Sequence, residues 1–111
     1  MQFLLLLHGD EVAELALSDA ERRAIVEEHM GFSAGLRERG AMVLGAPLAP
    51  STTGRVVHDG IVSDGPFAET KEQIGGFYLL ECADLDTALE LAAQVPASPG
   101  LAVEVRPVPE V

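Results

Sequence analysis

Apolar residues occupy consecutive positions through Phe3–Leu7, Ala41–Leu44 and Phe77–Leu80. Short apolar runs of this kind, bounded by turn residues, read as strands covered on both faces. Residues Gln2–Leu7 form the first expected strand. Ala41–Leu48 is the second, ended by Pro50, and Phe77–Cys82 is a later one. Gly54–His58 and Ile61–Ser63 read as two short strands joined by Asp59-Gly60, a pair suited to a hairpin turn with positive φ at both positions. In Leu101–Arg106 the residues Leu101, Val103 and Val105 alternate to one side. Helical spacing appears twice. Ser18 is followed three residues later by Glu21, a capping-box pattern, and predicts a helix from about Asp19 to Arg39 stopped by Gly40. Ile25, Phe32 and Leu36 form its apolar stripe. Gly31 and Gly35 interrupt it at about 1 kcal/mol each relative to Ala. Asp84 caps a second expected helix, Leu85–Gln94, with Leu85, Ala88, Leu89 and Ala92 on its buried face and Pro96 and Pro99 beyond its end.

The order β-α-β, hairpin, β-α-β predicts a ferredoxin-like α+β sheet with two helices on one face. Two helices cover one face only. The strands apolar on both sides therefore call for something on the other, and a second copy of the sheet supplies it, which gives a homodimer packed face to face. No linker, repeat or low-complexity tract divides the chain, so residues 1–111 read as a single domain.

Composition narrows the function classes. The 111 residues are 48% hydrophobic, which excludes a disordered chain, and the formal charge is -11. Such a surface repels phosphate backbones and anionic lipids, so neither nucleic acid nor a membrane is expected as a partner. The single cysteine, Cys82, forms no internal disulfide and fits a reducing cytoplasm. Phe3–Leu7 is too short to span a membrane and lacks the flanks of a signal peptide. His8, His29 and His58 are not at metal-ligand spacing, and no phosphate-binding or dinucleotide fingerprint occurs, so no metal or cofactor is expected.

Candidate chemistry centres on His29, which falls in the apolar stripe of the first helix and faces the sheet. It reads either as a core histidine satisfied by a backbone carbonyl or as a proton-transfer group. The segment Asp64–Gly76 is longer than a hairpin needs and holds the only lysine, Lys71. Asp64 sits at a strand end. It can bond its own backbone ahead of Gly65-Pro66, or orient His29. Pro66 and Phe67 are expected to pack over the sheet end as a lid, or to anchor the loop. Lys71 either faces the opening, where it would hold an anionic ligand, or pairs with Glu69 or Glu72. Tyr78 needs a partner for its hydroxyl if buried. His8, at the end of the first strand, either lines the same mouth or is exposed.

The segment Asp64–Gly76, which opens Asp64-Gly65-Pro66-Phe67, together with His29-Met30-Gly31-Phe32-Ser33-Ala34-Gly35-Leu36-Arg37-Glu38-Arg39-Gly40 and the following Val43-Leu44-Gly45-Ala46-Pro47-Leu48, resembles the DGPF-type branch of the YCII-related domain family. The resemblance spans Phe3 to Pro107. It implies a dimeric α+β barrel and a candidate site that pairs the histidine with an aspartate, as in the few members linked to activity on chlorinated aromatic compounds. Ala46 intervenes where members often have Gly-Pro, and no aspartate follows Pro47 closely, which leaves Asp64 as the acidic candidate. Two functions then stand side by side. One is a His29/Asp64 acid–base enzyme for elimination or isomerisation of a small molecule. The other is a non-catalytic ligand-sensing or regulatory dimer, since DGPF-type relatives are often associated with sigma-factor systems. In a third reading the Asp64–Gly76 loop only seals a dimer interface.

Overall fold

The computed structural model describes residues 1–110. Strand β1 (Gln2–Asp10) leads through a short helix α1 (Glu11–Leu15) into the long helix α2 (Asp19–Glu38) and strand β2 (Met42–Pro47). A 3-10 turn (Ser51–Thr53) precedes strands β3 (Arg55–His58) and β4 (Ile61–Asp64). Strand β5 (Glu72–Glu81), helix α3 (Leu85–Ala92) and strand β6 (Ala102–Val108) complete the chain. The main sheet is antiparallel in the order β2-β5-β1-β6, while β3 and β4 form a two-stranded sheet of their own. This α+β order fits the expected ferredoxin-like topology.

Local signals act where they were read. The Ser18 side chain accepts from the Glu21 N–H, and Glu21 accepts in return from the Ser18 N–H. Asp59 and Gly60 sit at φ 50 and 75 in the hairpin turn, which glycine adopts without a Cβ penalty. The core lies between one face of the sheet and the helices. Phe3 and Leu5 of β1, Leu80 of β5 and Leu36 of α2 are its fully buried large side chains. On β1 the residues between them, Leu4 and Leu6, are only half-buried, and so are Phe77 and Leu79 on β5. The sheet therefore has one closed face and one open, largely apolar face.

Three expectations are corrected. The first strand runs on to Asp10 and is followed by α1, a helix whose five residues are too few to show a stripe. Asp10 caps it through the Ala13 N–H. The segment Asp64–Gly76 is not all loop, because β5 already begins at Glu72. Helix α3 buries Ala88, Leu91 and Ala92, continued by Val95, rather than Leu85 and Leu89, which are both nearly half exposed. The spacing of Ala88, Leu91, Ala92 and Val95 also follows a helical period, and Val95 beyond the helix end decides which stripe turns inward.

Candidate functional site

Helix α2 touches the sheet only along its C-terminal half. Leu36 is its one buried residue, and Phe32 packs against the core edge. The N-terminal half stands off, and the space beneath it is a cleft of about 930 Å³ between α1, α2, the root of β2 and the start of β5. Leu7, His8, Glu14, Arg22, His29 and Tyr78 are among the residues that line it.

Tyr78 forms the floor. It pairs with Gly45 on β2, and a Cβ at Gly45 would stand 2.6 Å from the Tyr78 ring. The missing side chain lets the ring lie across β2, where Phe32 meets it edge-on at 5.2 Å between centroids. The hydroxyl is thereby directed at α2, and His29 Nδ1 lies 2.7 Å from it. The two rings stack with 12° between their planes. Burial lowers the His29 pKa below the ordinary 6.5, with Glu28 opposing the shift, so the imidazole is neutral at pH 7. Its Nε2 has no hydrogen-bond partner among the described residues.

The hydrogen bond is compatible with two tautomers of the imidazole. When Nδ1–H donates to the tyrosine oxygen, Nε2 carries a lone pair and acts as a base. When the hydroxyl donates to Nδ1, Nε2–H acts as a donor.

A pH dependence of stability follows. The unfolded chain binds the His29 proton first as pH falls. The stability contributed by keeping this imidazole neutral is therefore present above pH 6.5 and is lost as pH drops through the lower, folded-state value. Urea unfolding at a series of pH values should show this decline in the wild type and a flatter profile in His29→Gln. Equal slopes in the two proteins would remove the assignment.

The carboxylates at and beside the cleft are distributed by role. Asp10 caps α1, and Glu11 accepts from the Ser51 N–H at 2.9 Å and from the Ser51 hydroxyl at 2.5 Å, tying α1 to the turn before β3. Glu14 has no hydrogen-bond or ion-pair partner among the described residues. It lies against Gly9, and burial, then Glu11 and Asp10, raise its pKa. Sequence reading missed Glu11, Glu14, Arg22 and Arg37 as cleft residues. The available signal was Asp10 as a cap followed by acidic residues in a first turn.

Of the residues expected at the site, the structure brings His29 and Tyr78 together, sets His8 at the cleft edge with its ring turned to the open sheet face, and leaves four outside the cleft lining. Within one chain the expected His29–Asp64 dyad does not form. Asp64 ends β4, its carboxylate is 89% exposed, and Arg55 Nε lies 3.4 Å from it. Phe67 covers nothing and is 84% exposed. Pro66 is half-buried beside it, at the foot of β4. Lys71 turns to Asp10, with 3.9 Å between Nζ and the carboxylate, rather than to the opening. His8 Nε2 is 2.9 Å from Glu104 on β6, with Arg106 on the other oxygen of that carboxylate at 3.8 Å.

A second cavity, about 330 Å³, lies beside α3 and includes Cys82, whose thiol pKa burial pushes up. That makes it a poor nucleophile at neutral pH. Among the described residues no cluster of three or more His, Cys, Asp or Glu side chains is placed to hold a metal ion. No helix of the described residues is long and apolar enough to cross a membrane.

An uncharacterised protein of Rhizobium meliloti (strain 1021) is 37% identical over 113 residues, an alignment covering 96% of this chain and 91% of the relative. The YCII-related domain matches residues 1–111, and the chain therefore belongs to the YCII-related domain family.

Proposed function

We propose that this protein binds a small organic molecule in the cleft beneath α2 and exchanges a proton with it at His29 Nε2. The observation that carries the reading is the 2.7 Å hydrogen bond between His29 Nδ1 and the Tyr78 hydroxyl on the floor of that cleft. An elimination or isomerisation suits such a pair. In an isomerisation His29 takes a proton from one carbon of the ligand and returns it at another; in an elimination it takes the proton as the bond to the leaving group breaks, a double bond forms and the proton passes to the departing group, with no net transfer of electrons in either case. Asp64-Gly65-Pro66-Phe67 supports placing the chain in the DGPF-type branch of its family. A reducing cytoplasm is the setting that its lone cysteine supports.

The working unit is a homodimer joined through the open sheet face, where Leu4, Leu6, Phe77 and Leu79 lie half-buried. Each protomer carries a formal charge of -11, so the two copies repel at low salt. Dimer affinity should rise as screening increases from roughly 10 to 150 mM salt.

A second reading has its own support. The group beside His29 is a hydroxyl and not a carboxylate, which suits recognition of a ligand as well as its conversion. In that reading the dimer is a ligand sensor, with a sigma-factor system as its partner.

One experiment separates the two. Compounds that co-purify with the protein, identified by mass spectrometry, are returned to it in D2O while the His29 imidazole signals are followed by NMR. A ligand should move those signals, and Tyr78→Phe should weaken its binding about tenfold, the cost of about one hydrogen bond. Solvent deuterium appearing on carbon in the ligand, or release of a leaving group from it, marks catalysis, and binding without either marks the sensor. Ligands that bind and leave His29 unmoved would overturn both readings.

A further inference from the structure

Strands β3 and β4 pair only with each other and pack closely on no other strand or helix. They form an arm between β2 and β5. The arm leaves the sheet at the end where the cleft opens, because Pro47 and Gly76 at its root face each other and both line the cleft. Its projection shows in the dimensions of the molecule. The radius of gyration is 15.1 Å, against about 13 Å for a compact chain of this length.

A lone two-stranded hairpin is marginal in water and needs a surface to pack on. This one exposes apolar side chains. Val57, Ile61 and Val62 are about two-thirds exposed, and Phe67 just beyond is more so. The register puts Val57 opposite Val62 and Arg55 opposite Asp64, so these four share one face of the arm. The cleft offers the matching surface. Leu15, Val26, Met30 and Leu48 at its rim are exposed and apolar, and both charge signs occur within it, as Arg22 and Arg37 and as Glu11 and Glu14. The arm does not cover the cleft of its own chain.

A second copy brings both halves of the contact at once. Two-fold symmetry puts each arm against the other chain and satisfies two arms and two clefts together. The open sheet face points to the same partner. Four strands about 4.8 Å apart, the central two about 30 Å long and the outer two about 20 Å, form a face of several hundred Å² that, joined by the arm, reaches the roughly 800 Å² per partner of a stable interface.

We propose that the arms are exchanged. The β3–β4 arm of each protomer lies on the other and presents Val57, Val62, Asp64 and Phe67 at the mouth of its cleft. The inference rests on the homodimer described above. It makes the site incomplete in a single chain, and it brings the Asp64 carboxylate of the second chain to the mouth of the cleft that holds His29.

Cysteine trapping tests it. In a Cys82→Ser background, chains carrying Phe67→Cys are mixed with chains carrying Met30→Cys and mildly oxidised. A second mixture pairs Val62→Cys with Leu48→Cys, so that the result does not hang on one side-chain direction. Both mixtures should give a reducible covalent dimer. Each should form at least about tenfold faster than a mixture in which Asp86→Cys on the outer side of α3 replaces the cleft partner, because groups held together in a complex react at their effective concentration. A dimer by light scattering with no preferential cross-link in either mixture overturns arm exchange and leaves the homodimer standing. A monomer by light scattering removes both. Intrachain disulfides in chains carrying both cysteines of a pair would show the arm folding onto its own cleft, and would overturn the exchange.

Discussion

Leu6→Asp is expected to yield a folded monomer. Leu6 lies on the open face of β1, opposite Phe77 on one side and Glu104 on the other. In the single chain it is only half-buried, so a carboxylate there remains in reach of water and the closed face of the sheet is untouched. In the proposed dimer the same position is covered. Two carboxylates, one from each copy, then lose their hydration close to Glu104. Burial of an unpaired ion costs several kcal/mol even after relaxation. That corresponds to at least about a hundredfold loss of dimer affinity. Sedimentation equilibrium at micromolar concentration reads the mass, and circular dichroism reads the fold. A dimer that survives the substitution would show that the open sheet face is not the interface.

The second large effect belongs to the closed face. Phe3→Ala should destabilise the chain by about 3–5 kcal/mol, the range for removing a buried aromatic side chain. Phe3 is 0% exposed and pairs across the sheet with Leu80 and Pro107. Total stability for a domain is about 5–15 kcal/mol, so the variant is at or near the edge of folding, with a urea midpoint lower by about 2 M. Leu89→Ala is the comparison. Its side chain points outward from α3, and the expected change stays within about 0.5 kcal/mol. Equal effects from the two substitutions would mean that the core is misplaced.

What could be read from the chain beforehand follows physical range. The capping box at Ser18 and Glu21, the Asp59-Gly60 turn and the Asp84 cap are local, and each depends on residues within three positions of one another. The strands were legible because runs such as Phe3–Leu7 have no other way to hide from water. Helix α1 was not legible, since Glu11–Leu15 is one turn with no repeat. The face of α3 was misjudged because Val95, outside the helix, sets its rotation.

At the site, His29 and Tyr78 were each singled out, but their contact depends on Gly45 standing opposite Tyr78, a matter of register between distant strands. Asp64 was expected beside His29 because it ends a strand. That strand belongs to the separate β3–β4 sheet, and no local signal distinguishes it from a strand of the main one.

The stand-off of the first half of α2 has an evolutionary side. Arg22, Ile25, Val26 and Met30 line the cleft and none is buried, while the residues that hold the fold sit on the sheet, along α3 and at Leu36. Substitutions along that half-helix reshape the cleft, and surface changes of this kind cost little stability. If the cleft holds the proposed ligand, its preference and the stability of the fold rest on different residues of one short chain, so that the first can change at little cost to the second.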